Sequence, residues 1–487
     1  MAHALALAPR RRDELIAIAV VVAAASCGIV AAQARLAGAP IGAIGSMAAL
    51  AAIAVAGGRR RLALIAGGLV FVAALDWAYV AWVAPWYGYS GLVERGVDPS
   101  STLVVAVVAT VPCAWLPLRI ERPSDAIVWL LYLVAYVPAA VVPIHVLGPD
   151  PGRVLPLEAV LLLAAGTLGL MRALPLATLG RRGLSESQFV RLIVAAAAGA
   201  LVYFAVLFRP TSIPDLGDVY AARAAADAIV AATPGSGYLL PWFGYVVYPL
   251  TIALGLARRR PLVVGLGLAG QVLLYAITGL KGIVFSVVFV PVLFAVIRWG
   301  GRHSGGLMPW GAGFTVLASV VLSALTGSLF TVSLFVRRLF VVPGQLTGYY
   351  YDFFTSHPTY QLSHSVLGFL TDRPYALDPP YLIGLFYERT LTDANANVWA
   401  DAIANFGLVG VIPFTVLLGA LLWLLDSLAA GRDIAILGAG IGFLGIILAN
   451  GALLTQILTG GLGLAVLLVA VMPSTTAQTP RAVAEAQ

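Results

Sequence analysis

The chain has 487 residues, 61% of them hydrophobic and 10% charged, and its mean hydropathy is +0.96. That composition excludes a soluble domain with one large core and describes a polytopic membrane protein. The net charge of +7 does not point to nucleic acid, because the basic residues fall in short segments between apolar runs, and two cysteines inside apolar runs (Cys27 and Cys113) argue against a disulfide framework or a zinc site.

In chain order, the hydropathy pattern predicts about fourteen spans of roughly 17–25 residues each. They cover about 14–33, 40–57, 62–84, 101–119, 125–147, 155–176, 189–208, 239–257, 261–278, 281–297, 308–330, 403–425, 434–450 and 453–472. Arg10, Arg11 and Arg12 precede the first run, but further apolar runs follow at once and no small-residue cleavage site stands out, so this run reads as an uncleaved first helix. With the N-terminus in the cytoplasm, every even-numbered span leads to a basic segment: Arg59–Arg61, Arg119 with Arg122, Arg181 with Arg182, Arg258–Arg260, Arg298 with Arg302, and Arg432. This is the positive-inside pattern, and it places both termini in the cytoplasm.

The organisation expected is N-terminal transmembrane helices over 1–208, an extracytoplasmic loop with a short helix over 209–238, transmembrane helices over 239–330, a large extracytoplasmic loop with short surface-lying helices over 331–402, C-terminal transmembrane helices over 403–472, and a disordered cytoplasmic tail over 473–487. In the first loop Asp218 is placed to cap a helix running to about Ala232. The second loop is rich in aromatic residues (Tyr349, Tyr350, Tyr351, Phe353, Phe354, Tyr360) and holds His357 and His364, whose spacing of seven fits one helical face. Two histidines without a third ligand are weak evidence for a metal.

Polarity gathers on the outer face. Asp393, Asn397, Asp401 and Asn405 step by four, which on a helix makes one stripe, with Thr392 or Asp393 as N-cap and the helix continuing to about residue 425. Either this is a capped, solvated helix end, or it is a polar wall for sugar hydroxyls. Lys281, the chain's single lysine, sits between two spans with almost no loop, where an ionisable group is a functional candidate and a snorkelling side chain the plain alternative. Arg209, Arg223, Arg337 and Arg338 have the fork geometry that suits phosphate, whereas Arg35, Arg95 and Arg153 fit headgroup anchoring better. Asp76, in the outer half of the third span, either pairs with an outer arginine or lines a cleft.

Four stretches, DVYAAR at 218–223, TGLKG at 278–282, RRLFVVPGQLTGYYYDFF at 337–354 and ANANVWADAIANFGLVG at 394–410, resemble the oligosaccharide repeat-unit polymerases of the O-antigen polymerase type. The resemblance covers the second half of the chain. It implies an all-α membrane fold of the metal-independent, polyprenyl-lipid-using glycosyltransferase class, shared with O-antigen ligases and cell-shape peptidoglycan polymerases, in the bacterial cytoplasmic membrane. It implies a reaction on the outer face, in which a glycan on undecaprenyl pyrophosphate is transferred to a hydroxyl of a second lipid-linked repeat unit. No nucleotide sugar, cofactor or bound metal is expected.

That reaction asks for cations at the leaving pyrophosphate, with Arg209, Arg223, Lys281, Arg337 and Arg338 as candidates. It asks for a base at the acceptor hydroxyl, with Asp401 first and His357, His364 and Asp352 behind it. Asn395, Asn397, Asn405 and Tyr350 are candidates for holding sugars. Expected partners are lipid-linked oligosaccharides and membrane lipids, with a chain-length regulator or flippase beside them, and no nucleic acid. Two alternatives stand beside the polymerase: transfer of the glycan to another acceptor, as in a ligase, and a flippase for lipid-linked oligosaccharide. Transporters place polarity at the membrane midplane, whereas here it gathers at one face.

Overall fold

The structure is a computed structural model, and it describes residues 60–97, 99–148, 151–177, 179, 183–215, 220–395 and 397–473. The expected spans 14–33 and 40–57, Cys27, Arg35, Arg181, Arg182, Asp218 and the tail after Pro473 lie outside the described residues.

Every regular element among the described residues is helical. They are α1 (Arg60–Ser90), α2 (Ser101–Ala114), α3 (Pro123–Leu147), α4 (Gly152–Ala173), α5 (Glu186–Phe208), α6 (Tyr220–Ala232), α7 (Ser236–Ala257), α8 (Pro261–Thr278), α9 (Lys281–His303) and α10 (Leu307–Thr326), then α11 (Val332–Val341 continuing as Val342–Phe354), α12 (Pro379–Ile383 continuing as Gly384–Glu388), α13 (Val398–Ala429), α14 (Ile434–Leu448) and α15 (Leu453–Val471). Ten of these are long and apolar enough to cross a membrane, and α2 and α14 are shorter apolar helices. Each of the twelve expected spans that fall on described residues coincides with one of them.

Five stretches widen to a π-helical pitch: Tyr79–Val83, Tyr132–Tyr136, Phe243–Val247, Val332–Val341 and Gly384–Glu388. Pro85, Pro138, Pro249 and Pro343 follow the first four, each at the second residue after the widening. A proline ring cannot sit over the carbonyl four residues back and brings no N–H to the ladder, so the turn before it opens.

The described chain falls into two compact units. Of the described residues, unit 1 comprises those within 60–119, 131–170 and 302–416, and unit 2 those within 120–130, 171–301 and 417–473. In unit 1, α11 is the main departure from expectation. Rather than short helices on the membrane surface, 332–354 forms a continuous helix whose second part is almost wholly buried. Gly344 and Gly348 make this possible: a Cβ on Gly344 would stand 2.2 Å from the carbonyl oxygen of Pro138, and one on Gly348 would stand 3.3 Å from Pro143 Cβ. Such close backbone approach lets the two helices pack at interior density. The same device sets α1 against α10, where Trp310 lies over Gly67 and donates to Ala63 O at 3.0 Å.

Unit 2 is centred on Phe204, Tyr248, Leu274, Tyr275 and Ile283, with Gly267 and Gly270 letting α8 close on Ile252 and Tyr248 of α7. A buried carboxylate, Asp125, receives Arg172 Nε at 2.5 Å and the N–H groups of Glu121 and Arg122. Asp426 accepts from Ser124 Oγ at 2.6 Å.

α13 differs from the expected helix in two ways. It begins at Val398, and its cap is Asn397 rather than Thr392 or Asp393: Asn397 Oδ1 accepts from the N–H of Trp399 (3.0 Å) and Ala400 (3.1 Å). It is also interrupted, with Phe406 (φ −143°) and Gly407 (φ 63°) out of helical conformation. Asp393 therefore lies in the preceding loop, and the four-step series is only partly a helical stripe.

Candidate functional site

In unit 1 the first turns of α13 hold Asp401 and Asn405. Asn405 Nδ2 donates to Asp401 O (2.8 Å) and Oδ1 (3.0 Å), and its own Oδ1 accepts the N–H of Leu362 at 2.8 Å. This fixes a loop over the carboxylate. The loop carries His364, whose Nε2 faces Asp401 Oδ1 at 3.7 Å and whose ring meets Tyr360 edge-on at 5.0 Å. Among the described residues, His364 Nδ1 and the neighbouring Ser363 Oγ are buried without a hydrogen-bond partner. A carboxylate behind an imidazole with one ring nitrogen uncommitted is the arrangement a general base requires.

These groups are not a solvated helix end, the first of the two expected alternatives. Asn397 is fully buried, Asn405 is 1% exposed and Asp401 7%. Asn397 Nδ2 donates to Thr347 Oγ1 at 2.7 Å, tying α13 to α11. Tyr350 is buried too, its hydroxyl donating to Ala394 O at 3.1 Å. Burial and the nearby Asp401 and Asp393 carboxylates push its phenol well above the usual tyrosine value. Asn395 is exposed and donates to Asp393 Oδ2 at 2.5 Å.

His357 and His364 do not share a helix. His357 closes the C-terminus of α11, with Nδ1 at 2.9 Å from Phe353 O and 3.0 Å from Ser356 Oγ and its ring stacked on Phe353 at 4.1 Å. His364 lies in the loop beyond.

A second polar set in unit 1 surrounds Asp352. Its carboxylate accepts from Tyr387 Oη at 2.7 Å and pairs with Arg153, which also donates to Leu147 O at 2.9 Å. Burial raises the Tyr387 phenol above its ordinary value, and the Asp352 carboxylate raises it further. Tyr387 stacks face to face on Tyr349 at 4.1 Å, and Tyr349 and Gln345 hold the turn at Ser90–Gly91 through bonds of 3.3 and 2.7 Å. Arg337 lies over the Tyr87 ring at 4.4 Å and reaches Ser90 Oγ at 3.5 Å, while Arg338 is exposed. Burial lowers the Arg337 pKa below its ordinary value.

Among the described residues, the ion-pair partner of Asp76 is His145 rather than an arginine. Asp76 Oδ1 stands 2.8 Å from His145 Nε2, and His145 stacks on Tyr79 at 4.6 Å. Tyr79 Oη donates to Val93 O at 2.7 Å.

Unit 2 brings Arg223 and Lys281 to one turn. Arg223 Nη2 donates to Gly279 O at 3.2 Å, and Lys281, two residues on, is the first residue of α9. A cation there is unfavourable to the helix dipole by itself but favourable beside a bound anion, which the first N–H groups of α9 also attract. Arg209 caps α5 in a left-handed conformation (φ 46°) and donates to Val206 O at 3.1 Å. It borders an open groove of about 690 Å³ lined by Val202, Tyr203, Val206, Leu207, Phe208 and Ile229.

Sequence reading missed His145, Arg153, Ser363 and Tyr387 as parts of these sets. A histidine inside an apolar span, between Pro143 and Gly148, was the one local signal. Among the described residues, no three His, Cys, Asp or Glu side chains stand together as metal ligands. No protein-family model, no curated protein and no solved structure matches the chain, so the likeness to repeat-unit polymerases rests on the four quoted stretches.

Proposed function

We propose that the chain is a multi-pass glycosyltransferase of the bacterial cytoplasmic membrane, with both termini in the cytoplasm, that polymerises polyprenyl-pyrophosphate-linked repeat units on the outer face. In this reading the described helices and the two apolar runs at 14–33 and 40–57 make about fourteen spans of the metal-independent, lipid-using glycosyltransferase class. The observation that carries it is the His364–Asp401 pair, a base-like dyad with a free ring nitrogen beside the end of an apolar helix. The acceptor hydroxyl gives its proton to His364 Nδ1, and its oxygen bonds to the anomeric carbon. The bond from that carbon to the pyrophosphate breaks, and the electron pair leaves with the phosphate. Asp401 holds the imidazole and balances its charge.

The leaving pyrophosphate needs cations, and the candidates are Arg209, Arg223, Lys281, Arg337 and Arg338. Alanine at Arg223, Lys281, Arg338 or Asp401, introduced singly, is expected to abolish polymer while the protein level stays normal. Polymer of normal length and amount in all four would sink the assignment. Accumulation of single lipid-linked units in the deletion strain separates a polymerase from a ligase.

One observation favours the second reading, a flippase. Asp76, His145 and Glu158 all lie in apolar spans, and both carboxyl oxygens of Glu158 are buried without a hydrogen bond among the described residues. Lipid-linked substrate crossing vesicles with no glycosyl transfer would establish it.

A further inference from the structure

The loop that carries His364 is a rigid finger with an apolar tip. Its base is pinned to the end of the first segment of α13: Tyr360 N donates to Ala404 O (2.9 Å), Gln361 N to Asn405 O (3.0 Å) and Leu362 N to Asn405 Oδ1 (2.8 Å). Thr371 Oγ1 donates back to Gln361 O at 2.9 Å, and Arg373 Nε to Ser363 O at 3.3 Å, closing the finger from its other strand. Gln361 (φ 49°) and Leu362 (φ 68°) both hold the left-handed conformation that side-chain-bearing residues rarely adopt. Such strain persists only where surrounding bonds fix it.

The finger itself is a run of tight turns. Ser365 N donates to Leu362 O, Gly368 N to Ser365 O and Leu370 N to Leu367 O, all at 2.9–3.0 Å, and Ser365 Oγ accepts from Leu367 N at 3.0 Å. Gly368 is required here, since a Cβ would stand 2.5 Å from Ser363 O. Val366, Phe369 and Leu370 all fall on these turns, within five residues of one another. These three are 59%, 81% and 63% exposed, while the base residues Thr371, Asp372 and Arg373 are polar. A braced loop that keeps three large apolar side chains outward is unfavourable in water at about 25 cal/mol per Å² of apolar surface.

The level of the finger identifies what covers the tip. Beyond the break at Phe406–Gly407, residues 408–429 of α13 form a helix about 33 Å long at 1.5 Å per residue, enough for a hydrocarbon core of about 30 Å. Phe406 at the break and Val409 just past it are 44% and 82% exposed, so the lipid-facing surface of the helix begins at the break. The finger's base is bonded to Ala404 and Asn405, immediately before the break. We infer that Val366, Phe369 and Leu370 are seated in the boundary between lipid headgroups and acyl chains, making 361–371 a membrane-inserted finger that holds His364 at the bilayer surface. The inference does not depend on the glycosyl-transfer reading. If that reading also holds, it explains why the substrate must be lipid-linked: only a sugar tethered to the bilayer passes the dyad at this height.

The test uses the full chain with Cys27 and Cys113 replaced by alanine, a single Phe369→Cys carrying an environment-sensitive fluorophore, and vesicles of phosphatidylcholine and phosphatidylglycerol. Phospholipid bearing a nitroxide high on its acyl chain is expected to quench this reporter strongly and aqueous iodide weakly, with the order reversed for Asp372→Cys at the exposed base. Leu370→Cys repeats the measurement should Phe369→Cys fail to fold. Iodide quenching at 369 equal to that at 372 would overturn the inference. So would protection from iodide with no nitroxide effect that disappears when each lipid nanodisc holds one chain, because the tip would then be covered by a second copy.

Discussion

His364 Nε2 faces Asp401 Oδ1 at 3.7 Å, and the other ring nitrogen of His364 is buried with no hydrogen-bond partner among the described residues. The distance is longer than a hydrogen bond, so the pairing is electrostatic, and Asn405 rather than His364 fills the near lone pair of the carboxylate. If the pair serves as the base, His364→Gln should lower the rate of polymer formation from purified lipid-linked units by about 10²–10⁴-fold, the usual contribution of a general base. Asp401→Asn should lose less, because the imidazole remains. Transfer rates in matched reconstituted samples check the order; a larger loss in Asp401→Asn than in His364→Gln would return the base role to Asp401.

Asn397 caps α13 and ties it to α11 with one side chain. Asn397→Ala removes both and should destabilise by about 1–2 kcal/mol from the lost cap, with more from the lost bond to Thr347, whose hydroxyl keeps only its own donation to Pro343 O. Asn397→Ser keeps a capping acceptor for Trp399 and Ala400 but is too short to reach Thr347, so its cost should lie between wild type and alanine. Thermal unfolding in detergent reads the order directly, and equal losses in both variants would mean the cap carries none of it.

The spans were legible in the sequence because hydropathy and breakers agreed. α8 runs from Pro261 to Thr278 as expected, with Gly279 (φ 60°) stopping it, and α6 ends at Ala232. α11 was not legible. Its segment mixes Arg337, Arg338 and a run of tyrosines, which reads as a surface loop, and its burial depends on Gly344 meeting Pro138, a residue far away in the chain. The candidate site was legible by residue type but not by pairing. Asp401 and His364 were singled out separately, yet nothing local sets the loop of one over the helix of the other. Asp76 drew notice as a carboxylate in an apolar run, while its partner His145 is 69 positions away. The break in α13 left one trace, the glycine of Ala-Asn-Phe-Gly.

The α3–α11 contact makes a sharp packing prediction. Gly344→Ala places a methyl group against a backbone carbonyl that cannot rotate aside, so the helices must separate. Overpacking of this kind costs about 1–3 kcal/mol. Gly311→Ala, in α10, meets nothing within 4 Å and should be neutral or slightly stabilising, since alanine is the better helix former. A drop in unfolding temperature for Gly344→Ala with none for Gly311→Ala is the expected result; equal behaviour would refute the contact.

Tyr387 makes stability depend on pH at the alkaline end. Its phenol is raised above the ordinary value of 10 by burial first and by the Asp352 carboxylate it donates to. In the folded chain it stays protonated where the unfolded chain has already lost the proton, so the unfolded state binds fewer protons above about pH 10 and stability falls as pH rises. Below that value both states hold the proton and the term is constant, so nothing should change between neutral pH and about pH 9 from this cause. Tyr350 and Tyr360, raised mainly by burial, act in the same direction. Tyr387→Phe keeps the stack on Tyr349 and removes one titrating group. It should leave the neutral unfolding midpoint lower by the loss of one charged hydrogen bond, yet flatten the decline above pH 10. Unfolding midpoints measured from pH 7 to 11 check both parts, and a decline as steep as wild type would show that Tyr387 keeps no proton that the unfolded chain gives up.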